Sequence, residues 1–230
     1  MSCSSAIGFV FLLWTTFGFC QFGIVNDPDG FCNVRSEAKF GKNITDKLAN
    51  GFVVYVFEPK QNWSNIDYYK EGKDKNGFIY KDRIRLVSDF PQIPLKTSNS
   101  ENAILETDKI SIELIQTRFI PKNHKFGYFQ NNNAIVTEID GAKFFGTDGN
   151  IPKREYQSIK ITIDGKPIEL PKTAFRDLYE PTLHNTRANY DETNDILYVH
   201  SSNSDGAGGY DVVWIVEKGE YKTRSVEYGF

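Results

Sequence analysis

Residues 52–57 read FVVYVF, an unbroken apolar run that follows Asn50-Gly51. Six residues is the length of a strand, and three of the six are Val, whose branched Cβ favours extended backbone. The Asn-Gly pair in front of it can turn the chain into that strand. A second short run, Gly77-Phe78-Ile79-Tyr80, repeats the pattern downstream. Working outward from both, runs rich in Val, Ile, Tyr and Phe recur with Gly, Asn, Asp and Pro between them, and aromatic residues make up 14% of the chain. That is a strand-and-turn signature. No long run of apolar residues at helical spacing competes with it beyond residue 20.

Upstream, Val34 lies between Asn33 and Arg35, so in a strand Val34 points inward while the polar pair points outward or into loops. Gly77 suits a corner where two strands approach too closely for a side chain. Asn33-Val34-Arg35, Ile44, Leu48-Ala49-Asn50-Gly51, the FVVYVF strand, Trp63 and Gly77-Phe78-Ile79 follow one another in an order and spacing that resembles the bacterial SH3 (SH3b) family over residues 24–87. Cys32 stands where that family usually has Leu, and Phe78 where it usually has Trp; both suit a core. The resemblance implies a small SH3-like barrel over residues 21–88. It also implies contact with cell-wall peptide or another envelope component through an aromatic groove. Tyr55, Trp63, Tyr68, Tyr69, Phe78 and Tyr80 are the candidates to line it, with the Tyr68-Tyr69 pair favoured for exposure. Several of them must fill the barrel, since so small a domain has little else to bury. In this family an Asn and Arg at such positions tie loops down more often than they touch ligand.

Pro91, Pro94 and the polar run 96–102 (KTSNSEN) then break the pattern, and residues 89–102 read as an exposed linker. Beyond it, strands are expected at 110–120, 134–139, 143–146, 158–163, 166–170, 196–201, 210–217 and 221–228. Asp140-Gly141, Asp164-Gly165 and Lys218-Gly219 supply tight hairpin turns. Residues 173–179 (TAFRDLY) form the one expected short helix, with Thr173 as N-cap and Pro181 as a stop. The fold class is therefore all-β: an SH3-like barrel followed by a second antiparallel β-rich domain over 103–230.

The first twenty residues contain no Asp, Glu, Lys or Arg, and residues 7–19 (IGFVFLLWTTFGF) are mostly apolar. Thirteen residues are too few to span a bilayer as a helix, which takes about 20. They fit the apolar core of a secretory signal, with Gly18 and Cys20 as a small-x-small cleavage pattern before Gln21. Bulky Phe19 argues against lipid attachment at Cys20. The expectation is an exported protein, periplasmic or extracellular, with no membrane span after cleavage. Cys32 is then the one remaining thiol, so no internal disulfide is expected. Net charge is −3, and residues 21–98 carry 12 basic against 10 acidic residues. Neither half is basic enough for a nucleic-acid partner.

The motifs that suggest chemistry fail their own tests. Asp27-Pro28-Asp29-Gly30 lacks the Gly and Glu that a calcium loop needs at its sixth and twelfth positions, and reads as a turn. Ser204-Asp205-Gly206-Ala207-Gly208-Gly209 lacks the Gly-Lys-Ser/Thr of a phosphate loop and precedes a strand, not a helix. A two-stranded connection needs only two to five residues, yet residues 203–209 spend about seven, so Asp205 and Tyr210 are candidate contact residues. His124, His184 and His200 share no metal-ligand spacing and read as isolated. Cys32 lies inside a strand, and no G-x-S-x-G is present. No cofactor, metal or catalytic residue is expected. The reading is a non-enzymatic binding protein of the bacterial envelope, partnered by cell-wall peptide or glycan or an envelope protein. The alternatives are an envelope hydrolase using carboxylates of residues 103–230, or an inhibitor of the immunity type.

Overall fold

The computed structural model describes residues 21–57, 61–130 and 132–228, so the expected signal at 1–20 lies outside the described residues. Among the described residues all regular structure is β, apart from short 3-10 turns. The first lobe contains β1 (Phe22–Val25), β2 (Phe31–Arg35), β3 (Ile44–Ala49), β4 (Val53–Val56), β5 (Trp63–Lys70), β6 (Lys73–Tyr80) and β7 (Ile84–Leu86). They form one sheet in the order β3-β2-β6-β5-β4-β1-β7, curled into a half-barrel. Its inside is filled by Val25, Val34, Leu48, Val54, Ile66, Tyr68 and Ile79, together with buried Cys32. Gly77 sits where β6 crosses β2: a Cβ there would meet Val34 Cγ1 at 2.4 Å and the Arg35 carbonyl oxygen at 2.9 Å. Asp27 lies in the expected turn, between β1 and β2, its carboxylate accepting from the Asp29 N–H at 2.9 Å.

The segment expected to be a linker is instead paired. β8 (Gln92–Ile93) and β9 (Leu95–Ser98) are both strands. β8 joins the edge of one five-stranded sheet and β9 the edge of the other. Ile93 is buried in the main core, and the Asn189 side chain donates to the Phe90 carbonyl oxygen at 2.8 Å. Proline and polar composition signalled exposure, but an edge strand tolerates both, because one row of its backbone groups faces water.

The second lobe continues with β10 (Asn102–Glu106), β11 (Ile110–Arg118), β12 (Phe126–Phe129), β13 (Asn132–Ile139), β14 (Arg154–Ile163), β15 (Lys166–Glu169), β16 (Arg187–Asp191), β17 (Ile196–Asn203), β18 (Tyr210–Glu217) and β19 (Glu220–Tyr228). Sheet β15-β14-β11-β10-β9 and sheet β19-β18-β17-β16-β8 enclose the largest core, centred on Trp214, Leu105, Ile112, Leu114 and Tyr210. β12 and β13 form a separate hairpin. The three expected turns are present with both central residues at positive φ: Asp140 53° and Gly141 76°, Asp164 48° and Gly165 74°, Lys218 52° and Gly219 77°. That is the type I′ geometry whose twist matches the flanking strands.

Two expectations fail in this lobe. Residues 143–146 make no strand, only an isolated bridge from Phe145 to Leu178. The short helix at 173–179 is a single 3-10 turn, Lys172–Ala174. Its Ala174 carbonyl is taken by Trp214 Nε1 and Arg224 Nη1, each at 2.8 Å, and is lost to any helical bond. Tertiary donors outcompete a weak local propensity here.

The lobes meet through a third apolar cluster. Phe22 and Ile24 of β1, with Val87 and Phe90, pack on Tyr198, Val213 and Ile215 of the second lobe. β4 alternates accordingly: Val54 and Val56 face the half-barrel interior, while Val53 and Tyr55 face the other lobe. The FVVYVF run is thus apolar throughout because both of its faces are covered.

Candidate functional site

The aromatic residues of the first lobe divide between interior, junction and surface. Tyr68 is only 3% exposed, with its hydroxyl donating to Asp46 Oδ2 at 3.1 Å, so it is core and not groove. Burial pushes the Asp46 carboxyl up, but hydrogen bonds from Lys70 and Lys75 outweigh it and hold the group well below the usual carboxylate range. Tyr69, its neighbour on the opposite face of β5, is 58% exposed. Tyr55 lies at the lobe junction, where its hydroxyl donates to Asp211 Oδ2 at 2.8 Å. Phe78 is half-buried beside Arg35 on β2. Tyr55 and Tyr68 therefore do not share a groove with Tyr80.

Tyr80 belongs to a different cluster that the sequence pattern only half announced. Trp63 and Tyr80 are directly opposed across β5 and β6, edge to face at 5.4 Å. Phe40, from the loop between β2 and β3, covers both: its ring is 5.0 Å from Trp63 and stacks at 5.8 Å on Tyr80. The Arg35 guanidinium lies 5.3 Å from the Phe40 ring centre and donates to the Gly41 carbonyl at 2.9 Å and Asn43 Oδ1 at 2.8 Å. Asn43 in turn donates to the carbonyls of Glu37 and Lys39. Arg35 thus ties the loop down, as expected of it, and also presents a cation over an aromatic face. Phe40 remains 71% exposed, a large apolar ring held in water by fixed neighbours. Sequence reasoning missed Phe40 because a lone Phe in a polar loop has no periodicity.

In the second lobe the Gly-rich loop is structured. The ladder between β17 and β18 runs as far as Asn203 opposite Tyr210, which leaves 204–209 as the connection. Tyr210, expected as a contact residue, is 1% exposed and donates its hydroxyl to the Tyr179 carbonyl at 3.0 Å; it is core. Asp205 is exposed at the rim of an open cleft of about 1250 Å³, formed where loops 146–153, 180–182 and 204–208 meet the β12-β13 hairpin. The floor is backbone against backbone. A Cβ on Gly146 would lie 2.3 Å from the Tyr179 carbonyl oxygen, and one on Gly208 would lie 2.8 Å from Thr147 Cα. Ser204 Oγ donates to the Gly146 carbonyl at 2.7 Å, and the Ser204 N–H donates to Thr182 Oγ1 at 3.2 Å. The Glu180 carboxylate accepts from the Lys153 and Arg154 N–H groups. Ser204 and Glu180 hold φ of 60° and 49°, a left-handed conformation that persists only where such contacts enforce it.

Titratable groups elsewhere have their own arrangements. His124 is not isolated: Nδ1 is 2.8 Å from Asp140 Oδ2, Nε2 is 3.8 Å from Glu155 Oε2, and its ring stacks on Phe119 at 4.3 Å. His200 is half-buried with Nε2 3.0 Å from Asn189 Oδ1, and burial beside Arg187 lowers it to about 4. Burial pushes the Cys32 thiol up to about 11, which makes it a poor nucleophile. At the lobe junction Glu227 lies directly opposite Asp211 on adjacent strands. Burial, with Asp67, Asp74 and Asp211 nearby, raises its carboxyl to about 7. Among the described residues no group of His, Cys, Asp and Glu side chains is arranged to hold a metal ion, and no helix is long and apolar enough to cross a membrane. No protein-family model, curated protein or solved structure matches the chain.

Proposed function

We propose that this chain is an exported binding protein of the bacterial envelope, with an SH3b-type first lobe that holds cell-wall peptide or glycan on the ledge of Phe40, Trp63 and Tyr80. The observation that supports this reading is Phe40 itself. Its contacts with Trp63, Tyr80 and Arg35 leave 71% of the residue in water, and a partner stacking on it removes that apolar area at roughly 25 cal/mol per Å². Arg35 beside the ring adds a cation that suits a carboxylate-bearing stem peptide. The test is co-sedimentation of the protein with purified cell-wall sacculi. Binding is expected to fall at least tenfold for Phe40→Ser. Equal sedimentation of the variant and the parent sinks the proposal.

A second reading, an envelope hydrolase working through carboxylates, is favoured by one observation. Half-buried Glu227, its carboxyl raised to about 7 by burial, lies directly opposite Asp211, whose carboxylate takes hydrogen bonds from Tyr55 and Ser202. Two acids with different environments are what acid–base chemistry on a glycan needs. Loss of cell-wall solubilisation in Glu227→Gln, with sedimentation intact, would select it.

A further inference from the structure

The groups left over in the second-lobe cleft are of both hydrogen-bonding kinds. The side chains of Asp148, Asp205 and Lys153 are exposed there, and none of these three side chains makes a hydrogen bond or ion pair with the described residues. Thr182 Oγ1 accepts from the Ser204 N–H, so its own hydroxyl proton is free to donate. Beside these groups stands an apolar wall of Tyr128, 37% exposed, and Ile151, 45% exposed.

A cationic ligand would meet Lys153 in this cleft, and an anionic one would meet Asp148, Asp205 and the Glu180 carboxylate. A sugar hydroxyl donates to a carboxylate and accepts from an ammonium or a hydroxyl, so it satisfies the whole set, while the C–H face of a pyranose packs on Tyr128 and Ile151. The cleft, at about 1250 Å³, exceeds the roughly 300–1,000 Å³ that suits one small molecule. Its shape is fixed before binding by the Gly146, Gly208, Ser204 and Glu180 contacts, so little ordering is left to the ligand. We infer that this cleft binds a neutral oligosaccharide of several sugar units, at a site independent of the aromatic ledge on the first lobe.

The experiment is calorimetric titration of the whole protein with chitotetraose, maltotetraose and xylotetraose. At least one is expected to bind saturably. Tyr128→Ala and Asp205→Asn should each weaken that binding at least fivefold. Saturable binding to none of the three sugars overturns the inference, whether or not pentalysine binds instead. Binding that falls with Phe40→Ala and not with Asp205→Asn overturns it too, because the sugar then sits on the ledge. Should Tyr128→Ala melt early, Asp205→Asn decides alone, since the Asp205 side chain is exposed and makes no hydrogen bond or ion pair with the described residues, so its replacement spares the fold.

Discussion

A methyl group on Gly77 would lie 2.4 Å from Val34 Cγ1 with the Arg35 carbonyl at 2.9 Å, and neither backbone nor packed core can yield by that much. Gly77→Ala is expected to destabilise the protein by about 1–3 kcal/mol, read as a lower denaturant midpoint at unchanged slope. Glu227 has a different, pH-dependent effect. Its folded carboxyl titrates near 7 against an ordinary 4.5, so between those values the native state holds a proton that the unfolded chain has released. Stability therefore falls as pH rises from about 4.5 to about 7 and then levels off. The group is partly exposed, so after solvent screening the loss is on the order of 1–2 kcal/mol. Unfolding curves of the parent and Glu227→Gln across that window should diverge as pH increases; parallel curves would refute the assignment. Gly77 was legible in the sequence, because a glycine directly before Phe-Ile in a strand suits a corner too tight for a side chain. Glu227 was not: its carboxyl is raised by burial first and then by Asp67 and Asp74 of the other lobe, and nothing local announces either.

Strands were legible where composition and turn chemistry agreed. The Asp-Gly pairs at 140–141 and 164–165 and the Lys-Gly pair at 218–219 placed their turns correctly, because two adjacent positive φ values need such residues. β10, β12 and β16 were missed: all are short, β10 and β16 are mixed in polarity, and β12 is interrupted by Gly127. β8 was hidden by the prolines on either side of it, although Ile93 is only 4% exposed in the main core. Ile93→Ala is expected to cost about 2–4 kcal/mol, whereas the same change in a solvated linker costs under about 0.5 kcal/mol. Thermal unfolding of that one variant distinguishes the two readings. The candidate site was legible in part. Trp63 and Tyr80 were singled out, but their partner Phe40 depends on Arg35 folding a loop back over them, a tertiary event without a sequence period.

On the scale of the whole molecule, the two lobes share an apolar seam in which Phe22 is 2% and Ile24 7% exposed. A fragment of residues 21–88 bares that seam and loses the Tyr55–Asp211 bond. At about 1.5–3 kcal/mol for each large apolar side chain uncovered, the fragment should unfold at a clearly lower denaturant concentration than the full chain. The full chain should unfold in one transition; two well-separated transitions would show that the seam contributes little. The seam also bears on the order in which the molecule is made. β8 has no partner until β16 exists, and the Phe90 carbonyl waits for Asn189, 99 residues later. At a ribosomal speed of roughly 5–20 residues per second, that is roughly 5–20 seconds during which a finished half-barrel carries a naked apolar face. Synonymous codons that slow translation between residues 93 and 187 should lengthen that interval and raise the aggregated fraction, without altering a single amino acid.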